Sequence, residues 1–260
     1  HVYIGTMGGE IFAFNRNGEL IVSSGQDSFC NLPGEIISTP CYDNGTLYVG
    51  TKSGYLCALD CLKAENVAPA RDDLEGGIVA SLLIEGDFLF VATIGGRLYC
   101  LFKDTLETHW VYPEFSTLSL APFLASPVSG HDIVIAVTGE GQMLALNYQG
   151  DLLWEQHISE SVRATPLIVQ QFVCVYTQSG CLHVFELKTG KKKTSENVIN
   201  AYLETSPACN GSYIYIGATN EYFYAQNYMT GNLREPCFPV KNEHCPIQIS
   251  FFLLQKGYPR

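Results

Sequence analysis

Ten cysteines and six histidines are the residues of this 260-residue chain whose types most readily do chemistry. Thiolate and neutral imidazole are common ligands of zinc and related ions. Their spacing, however, makes no metal motif: there is no C-x-x-C pair, Cys57 and Cys61 stand four apart with no second pair after them, and His244-Cys245 stands alone. His1, His109, His131, His157, His183 and His244 are scattered, with no i, i+4 pair, so each reads as a structural histidine. Several cysteines sit in apolar strand contexts, such as Val-Cys-Val at Cys174 and Tyr-Cys-Leu at Cys100. They read as reduced, buried small hydrophobes. Ten reduced thiols fit a reducing compartment, so the expected location is cytoplasmic, with a secreted or luminal setting as the alternative.

Other reactive patterns fail on context. Strings such as Gly139-Glu-Gly141 fall in hairpin turns with no following helix, so they cradle no phosphate. No G-x-S-x-G elbow precedes a helix. Asn44-Gly-Thr and Asn210-Gly-Ser match a glycosylation sequon, but Asn-Gly is also the commonest hairpin turn, and that reading is preferred. Lys191-Lys192-Lys193 follows Thr189-Gly190 and reads as a solvated turn tip. No catalytic, cofactor-binding or metal-binding residue is assigned. With 15 basic and 26 acidic residues the formal charge is −11, which disfavours nucleic acid and anionic membranes as partners. The longest apolar run, Gly77 to Thr93, is broken by Glu85 and Asp87, so no membrane-inserted helix is expected. The chain opens at His1 inside a strand-like segment, without a signal-like start, which suggests a fragment or processed product.

The elements that position these residues come from an internal repeat. An apolar strand, a tight turn and an alternating strand recur from Val2, Leu47, Leu89, Ile133, Val173 and Ile214. The turn residues are Gly9, Gly54, Gly96, Gly141, Gly180 and Glu221, at intervals of 45, 42, 45, 39 and 41. Glycine suits a turn that needs positive φ, and Asn220 is expected to take that role in the last copy. After the turn, Ile11, Leu56, Leu98, Met143, Leu182 and Phe223 share one face with Ala13, Ala58, Cys100, Ala145, Val184 and Ala225. Upstream of five hairpins lie short strands opening on Ser38-Thr39-Pro40, Ala80-Ser81-Leu82, Ala125-Ser126-Pro127, Ala164-Thr165-Pro166 and Thr205-Ser206-Pro207. Downstream of each hairpin a polar turn leads to a weaker outer strand.

Four-stranded antiparallel units of about 42 residues indicate an all-β, six-bladed β-propeller spanning 1–260 as a single domain. The first unit lacks its opening strand. Residues 246–254 (PIQISFFLL) supply a candidate, which would close the ring and remove exposed sheet edges. An incomplete seven-bladed propeller is the alternative. Three residues before each proline-equivalent position stand Ile37, Val79, Leu124, Arg163, Glu204 and Gln248. If the openings line a central channel, Arg163, Glu204 and Gln248 form a polar arc at its mouth. Arg163 and Glu204 could pair there, or hold a small polar ligand or peptide tip.

The repeated small-Pro opening, Gly-Ser/Thr turn, aliphatic-Tyr-Ala-Leu strand, Thr-Gly turn and Trp154 resemble the quinoprotein-type propeller repeats over residues 2–234. That resemblance implies the fold but no single activity. Such repeats occur in pyrroloquinoline-quinone alcohol dehydrogenases, outer-membrane assembly lipoproteins, luminal sensors of unfolded protein, and acyl-activating enzymes of the aminoadipate-semialdehyde-dehydrogenase or β-alanine-activating type. The Cys-rich strands GGRLYCLF and SGCLHVFE look most like the last group. This implies a non-catalytic regulatory or scaffolding propeller with a protein or carrier-domain partner, in an enzyme that is an ATP-dependent acid ligase as a whole. The alternative is a free-standing extracytoplasmic sensor or assembly scaffold for extended peptides. A quinoprotein dehydrogenase fits worst: the vicinal Cys-Cys pair is absent, no Asp/Asn/Glu cluster has calcium-loop spacing, and the docking tryptophan survives only as Trp110 and Trp154. Pyrroloquinoline quinone with Ca²⁺ is therefore expected to leave the melting temperature unchanged in a thermal scan, since a ligand of the native state would raise it.

Overall fold

The hairpin turn that defines the repeat is built the same way throughout the computed structural model, which describes residues 1–21, 27–114, 120–197 and 199–234. A threonine ends one strand and its N–H donates to the carbonyl four residues on: Thr6 to Glu10, Thr51 to Tyr55, Thr93 to Arg97, Thr138 to Gln142 and Thr177 to Cys181, all at 2.8–2.9 Å. The carbonyl of the same threonine accepts from the turn glycine at 3.0–3.1 Å. The glycines hold φ between +74° and +95°. In the last repeat the positive φ (+68°) falls on Glu221 and not on the expected Asn220. Asn220 instead accepts the Tyr222 N–H with its side-chain oxygen, so it shapes the turn through a side-chain bond. At Asn44-Gly45 both residues have positive φ, as a type I′ hairpin requires.

The described residues contain strands and no helix, ordered into six antiparallel sheets. The first holds β1 (Val2–Gly5), β2 (Glu10–Phe14), β3 (Leu20–Ile21) and β4 (Cys30–Asn31), with β3 paired to the end of β2 and β4 to its start. It has no inner strand among the described residues. The second holds β5 (Cys41–Asp43), β6 (Thr46–Gly50) and β7 (Leu56–Asp60). Its fourth strand, expected from the repeat, is reduced to two bridges, Leu59–Asn66 and Leu56–Arg71. Pro69 lies between them and has no N–H to give a ladder. The third runs β8 (Leu83–Glu85), β9 (Phe88–Ala92), β10 (Leu98–Phe102) and β11 (Thr108–Tyr112), and the fourth β12 (Val128–Gly130), β13 (Ile133–Val137), β14 (Gln142–Asn147) and β15 (Leu152–His157). The fifth runs β16 (Leu167–Val169), β17 (Phe172–Tyr176), β18 (Cys181–Glu186) and β19 (Lys192–Asn197), and the sixth β20 (Ala208–Cys209), β21 (Tyr213–Gly217), β22 (Phe223–Asn227) and β23 (Leu233–Arg234). The inner strands start just after the small-Pro openings. Residues 246–254, Gln248, Cys237 and Cys245 lie outside the described residues.

The chain divides into two compact units, His1–Ile158 with the first four sheets and Ser159–Arg260 with the last two. Inside each unit consecutive sheets pack face to face. The face expected to be inward does turn to the next sheet: Leu56 and Ala58 meet Leu89, Val91, Tyr99 and Leu101. Leu98 and Cys100 meet Val134, Ala136, Leu144 and Leu146, and Leu182 and Val184 meet Ile214 and Ile216. The opposite face is buried too, because it receives the sheet before: Cys57 and Leu59 join Ile11 and Ala13. A middle strand with both faces covered reads as a continuous apolar run, and each Leu or Val so buried contributes about 1.5–3 kcal/mol.

The turns also lock onto the segments leading into the next sheet. Thr6, Thr51 and Thr93 carbonyls accept the N–H of Ile36, Ile78 and Phe123. The fit leaves no room for a side chain: a Cβ at Gly96 would lie 2.0 Å from the Leu120 carbonyl oxygen, and one at Gly180 2.0 Å from that of Ile199. Gly18 also has positive φ (+81°), but a Cβ there would meet nothing within 4 Å. Gly18→Ala is therefore expected to cost about 1–2 kcal/mol from backbone strain alone. Gly96→Ala and Gly180→Ala, which must also shift backbone, are expected to cost about 3 kcal/mol or more, read as denaturation midpoints.

Candidate functional site

Buried and exposed side chains alternate in the segments that open the inner strands. Ile37 is exposed between buried Ile36 and Ser38, and Arg163 is exposed between buried Val162 and Ala164. Glu204 and Tyr202 are exposed on either side of buried Leu203. The segments are pinned by their backbone. Gln178 donates its N–H to the Ser161 carbonyl at 2.7 Å and accepts the Leu203 N–H at 3.0 Å, and the Thr219 N–H reaches the Tyr202 carbonyl at 3.0 Å. Hydroxyls stitch neighbouring openings together. The Thr39 and Ser81 N–H groups donate to Ser81 and Ser126 Oγ, and Ser206 Oγ donates to Thr165 Oγ1. Other hydroxyls turn inward, as where the buried Ser38 Oγ donates to the Gly50 carbonyl and the half-buried Thr205 Oγ1 to that of Gly217.

This arrangement places Arg163 and Glu204 on adjacent openings of the second unit, both facing solvent. The ion pair expected between them does not form: Glu204 Oε1 instead accepts from Gln178 Nε2 at 3.3 Å. Gln178 follows Thr177 in the β17–β18 turn, so it is the nearer donor in the repeat geometry. Of the apolar counterparts, Val79 and Leu124 are half-buried and Ile37 is exposed. Gln248 lies outside the described residues. An exposed guanidinium and carboxylate on pinned backbone can grip a polar peptide segment, since each offers charge-assisted hydrogen bonds.

A second group, which the spacing did not flag, gathers at the same end of the fifth sheet. Glu160, Cys181 and His183 each bring one ligand-type atom, all within 4.8 Å of one another. Cys181 and His183 stand two apart on β18 and so share a face. Thr177 Oγ1 donates to Glu160 Oε2 at 3.0 Å, and Ser179 Oγ bonds the same oxygen. These hydroxyl bonds, Ser179 first, hold the Glu160 carboxyl below its usual range. Burial pushes the Cys181 thiol up, and burial with Lys192 nearby holds the His183 imidazole down. The signal legible in the sequence was Cys-x-His on one strand; Glu160, 21 residues before Cys181, is brought in only by the fold.

Elsewhere the side chains named in the repeat serve the sheets. Trp110 Nε1 donates to the Tyr148 carbonyl of the next sheet at 2.9 Å. Arg71, one repeat earlier, does the same to the Leu106 carbonyl at 2.7 Å. Lys191, Lys192 and Lys193 are exposed, but the expected turn tip holds only Lys191: Lys192 and Lys193 begin β19, and Lys193 pairs with Glu186 at 2.7 Å. All eight described cysteines are free: Cys57, Cys61, Cys100, Cys174 and Cys181 are buried, and Cys30, Cys41 and Cys209 half-buried.

Successive antiparallel sheets of three or four strands, each built around this hairpin turn, define a β-propeller. Solved structures share the architecture. BamB from Moraxella catarrhalis superposes with a TM-score of 0.76 at 18% identity, covering 92% of this chain and 70% of that one. The WD40 β-propeller domain of Doa1 does so at 0.69 and 10% identity, covering 90% and 77%. The particular family follows from the sequence: residues 7–234 match the family described as outer membrane protein assembly factor BamB, and the chain belongs to it. Curated relatives match parts of the chain. BamB of Nitrosomonas eutropha is 27% identical over 146 residues, 55% of this chain and 32% of its own length. An uncharacterized protein of Rickettsia conorii is 29% identical over 115 residues, 44% of this chain and 27% of its own. The chain thus spans about a third or less of the curated relatives it matches. The quinoprotein-type repeat is confirmed at the level of this family, whereas the link to acyl-activating enzymes finds no support in these relatives.

Proposed function

We propose that this chain is a non-catalytic protein-binding scaffold of the assembly-factor type, which holds extended segments of a partner protein against the openings that carry Arg163 and Glu204. The observation that carries the reading is the family match over residues 7–234, to a family described by its part in assembling outer membrane proteins. The exposure of Arg163, Tyr202 and Glu204 on pinned backbone supports it, since loops held by a rigid scaffold are where binding residues concentrate. The family's description also favours an extracytoplasmic setting over the cytoplasmic one. In this reading residues 246–254 supply the inner strand that the first sheet lacks, so that 1–260 forms one six-bladed domain. A seventh blade outside the chain is the alternative.

Synthetic extended peptides of alternating apolar and charged residues, read by fluorescence anisotropy, test the scaffold. Arg163→Ala and Glu204→Ala are each expected to weaken binding about tenfold, which is about 1.4 kcal/mol. Both should leave the melting temperature nearly unchanged, because exposed substitutions move stability by about 0.5 kcal/mol or less. Affinity equal to that of the unsubstituted chain in both variants would sink the assignment.

A second reading keeps support from one observation, the eight free cysteines. Unpaired thiols at this density suit a reducing compartment, and with it the regulatory propeller of a larger acyl-activating enzyme that meets a carrier domain. A thiol count on the native protein, denatured without reductant, separates the two. Ten free thiols are expected in the cytosolic case, and fewer in a protein matured in an oxidising compartment.

A further inference from the structure

His183 is a buried imidazole, 7% exposed, and neither ring nitrogen has a hydrogen-bond partner. Buried polar side chains almost always have partners, and an unpaired one costs about 1–3 kcal/mol. The atoms that come within reach of it belong to Cys181 and Glu160: one thiol sulfur, one ring nitrogen and one carboxylate oxygen within 4.8 Å of each other. Hydrogen bonds alone leave this ring unsatisfied, whereas a cation shared by the three groups would take one ring nitrogen together with the thiolate and the carboxylate.

From this geometry we propose that Glu160, Cys181 and His183 bind one divalent ion of the zinc class. The donor set selects the class. Calcium and magnesium take oxygen ligands, and sulfur with imidazole suits zinc and its borderline neighbours. Tetrahedral zinc, with bonds of about 2.0–2.3 Å, sets ligand atoms about 3.3–3.8 Å apart. Closing from 4.8 Å to that spacing asks only for small side-chain rotations. Glu160 is half-buried, so solvent water can complete the fourth position. The Thr177 and Ser179 hydroxyls already hold the carboxylate, as the outer partners of metal-ligating carboxylates do. The Cys181 proton leaves to solvent on binding. The ion would clip the segment entering the fifth sheet to the start of β18, all within the second unit. It would fix the same segment that presents Arg163.

The test uses the full chain, kept reduced and stripped with a chelator, then titrated with Co²⁺ and afterwards Zn²⁺. The expected result is one equivalent per chain, with a thiolate-to-cobalt charge-transfer band that zinc abolishes, and a higher melting temperature with metal. Cys181→Ala should remove the band. His183→Phe should remove the stoichiometric uptake. Glu160→Gln, a half-exposed change that spares the core, should weaken uptake about tenfold or more. Cys209→Ala, outside the cluster, should leave uptake unchanged. Absence of stoichiometric uptake by the unsubstituted chain overturns the proposal, as does uptake that persists unweakened in both Cys181→Ala and Glu160→Gln.

Discussion

Thr6, Thr51, Thr93 and Thr138 turn the chain at the same point of four successive sheets, and their backbone groups do two things at once. The N–H and C=O close the hairpin, and in the first three the same carbonyl also takes an N–H from the segment entering the next sheet. A buried backbone group needs a partner, so the second bond fixes where the next sheet begins. The turn glycine allows the contact because it tolerates positive φ and has no Cβ to strike the neighbouring carbonyl. Sheet spacing, the burial of both faces of the middle strands and the exposure of the opening residues all follow from this junction.

The openings show how a structural constraint becomes a surface. With the backbone on either side pinned, alternate side chains must go in or out. Ser38, Ala164 and Leu203 go in, and Ile37, Arg163 and Glu204 go out. The inward positions need small or apolar residues, while the outward ones are free to vary in chemistry from repeat to repeat. The outward chemistry can therefore change while the fold stays, which fits a fold whose solved examples share the architecture with this chain at less than 20% identity.

Much of this was legible before any coordinates. The spacing of Gly9, Gly54, Gly96, Gly141 and Gly180 set the number and order of the hairpins, because a tight turn with positive φ has few other residues to use. The small-Pro openings placed the inner strands. Less legible were effects decided by a neighbour. Pro69 dismantled an outer strand that the repeat pattern called for, through one missing N–H. The positive φ of the last turn moved to Glu221 because the turn geometry outweighs residue preference. Arg163 and Glu204 stayed unpaired with each other because Gln178 stands closer to Glu204 than the repeat spacing reveals.

The sequence by itself determined that this protein is a series of antiparallel repeats, each built on one hairpin, since period-2 burial and glycine turns are local properties of the chain. It also determined which positions open each inner strand. Only the tertiary structure decided which distant side chains meet. Cys181 and His183 announce a shared strand face, but Glu160, 21 residues before Cys181, joins them through a segment whose path is set by the hairpin it packs on. Clusters of that kind depend on how sheets and loops come together in space, and nothing in residue type or local spacing encodes that meeting.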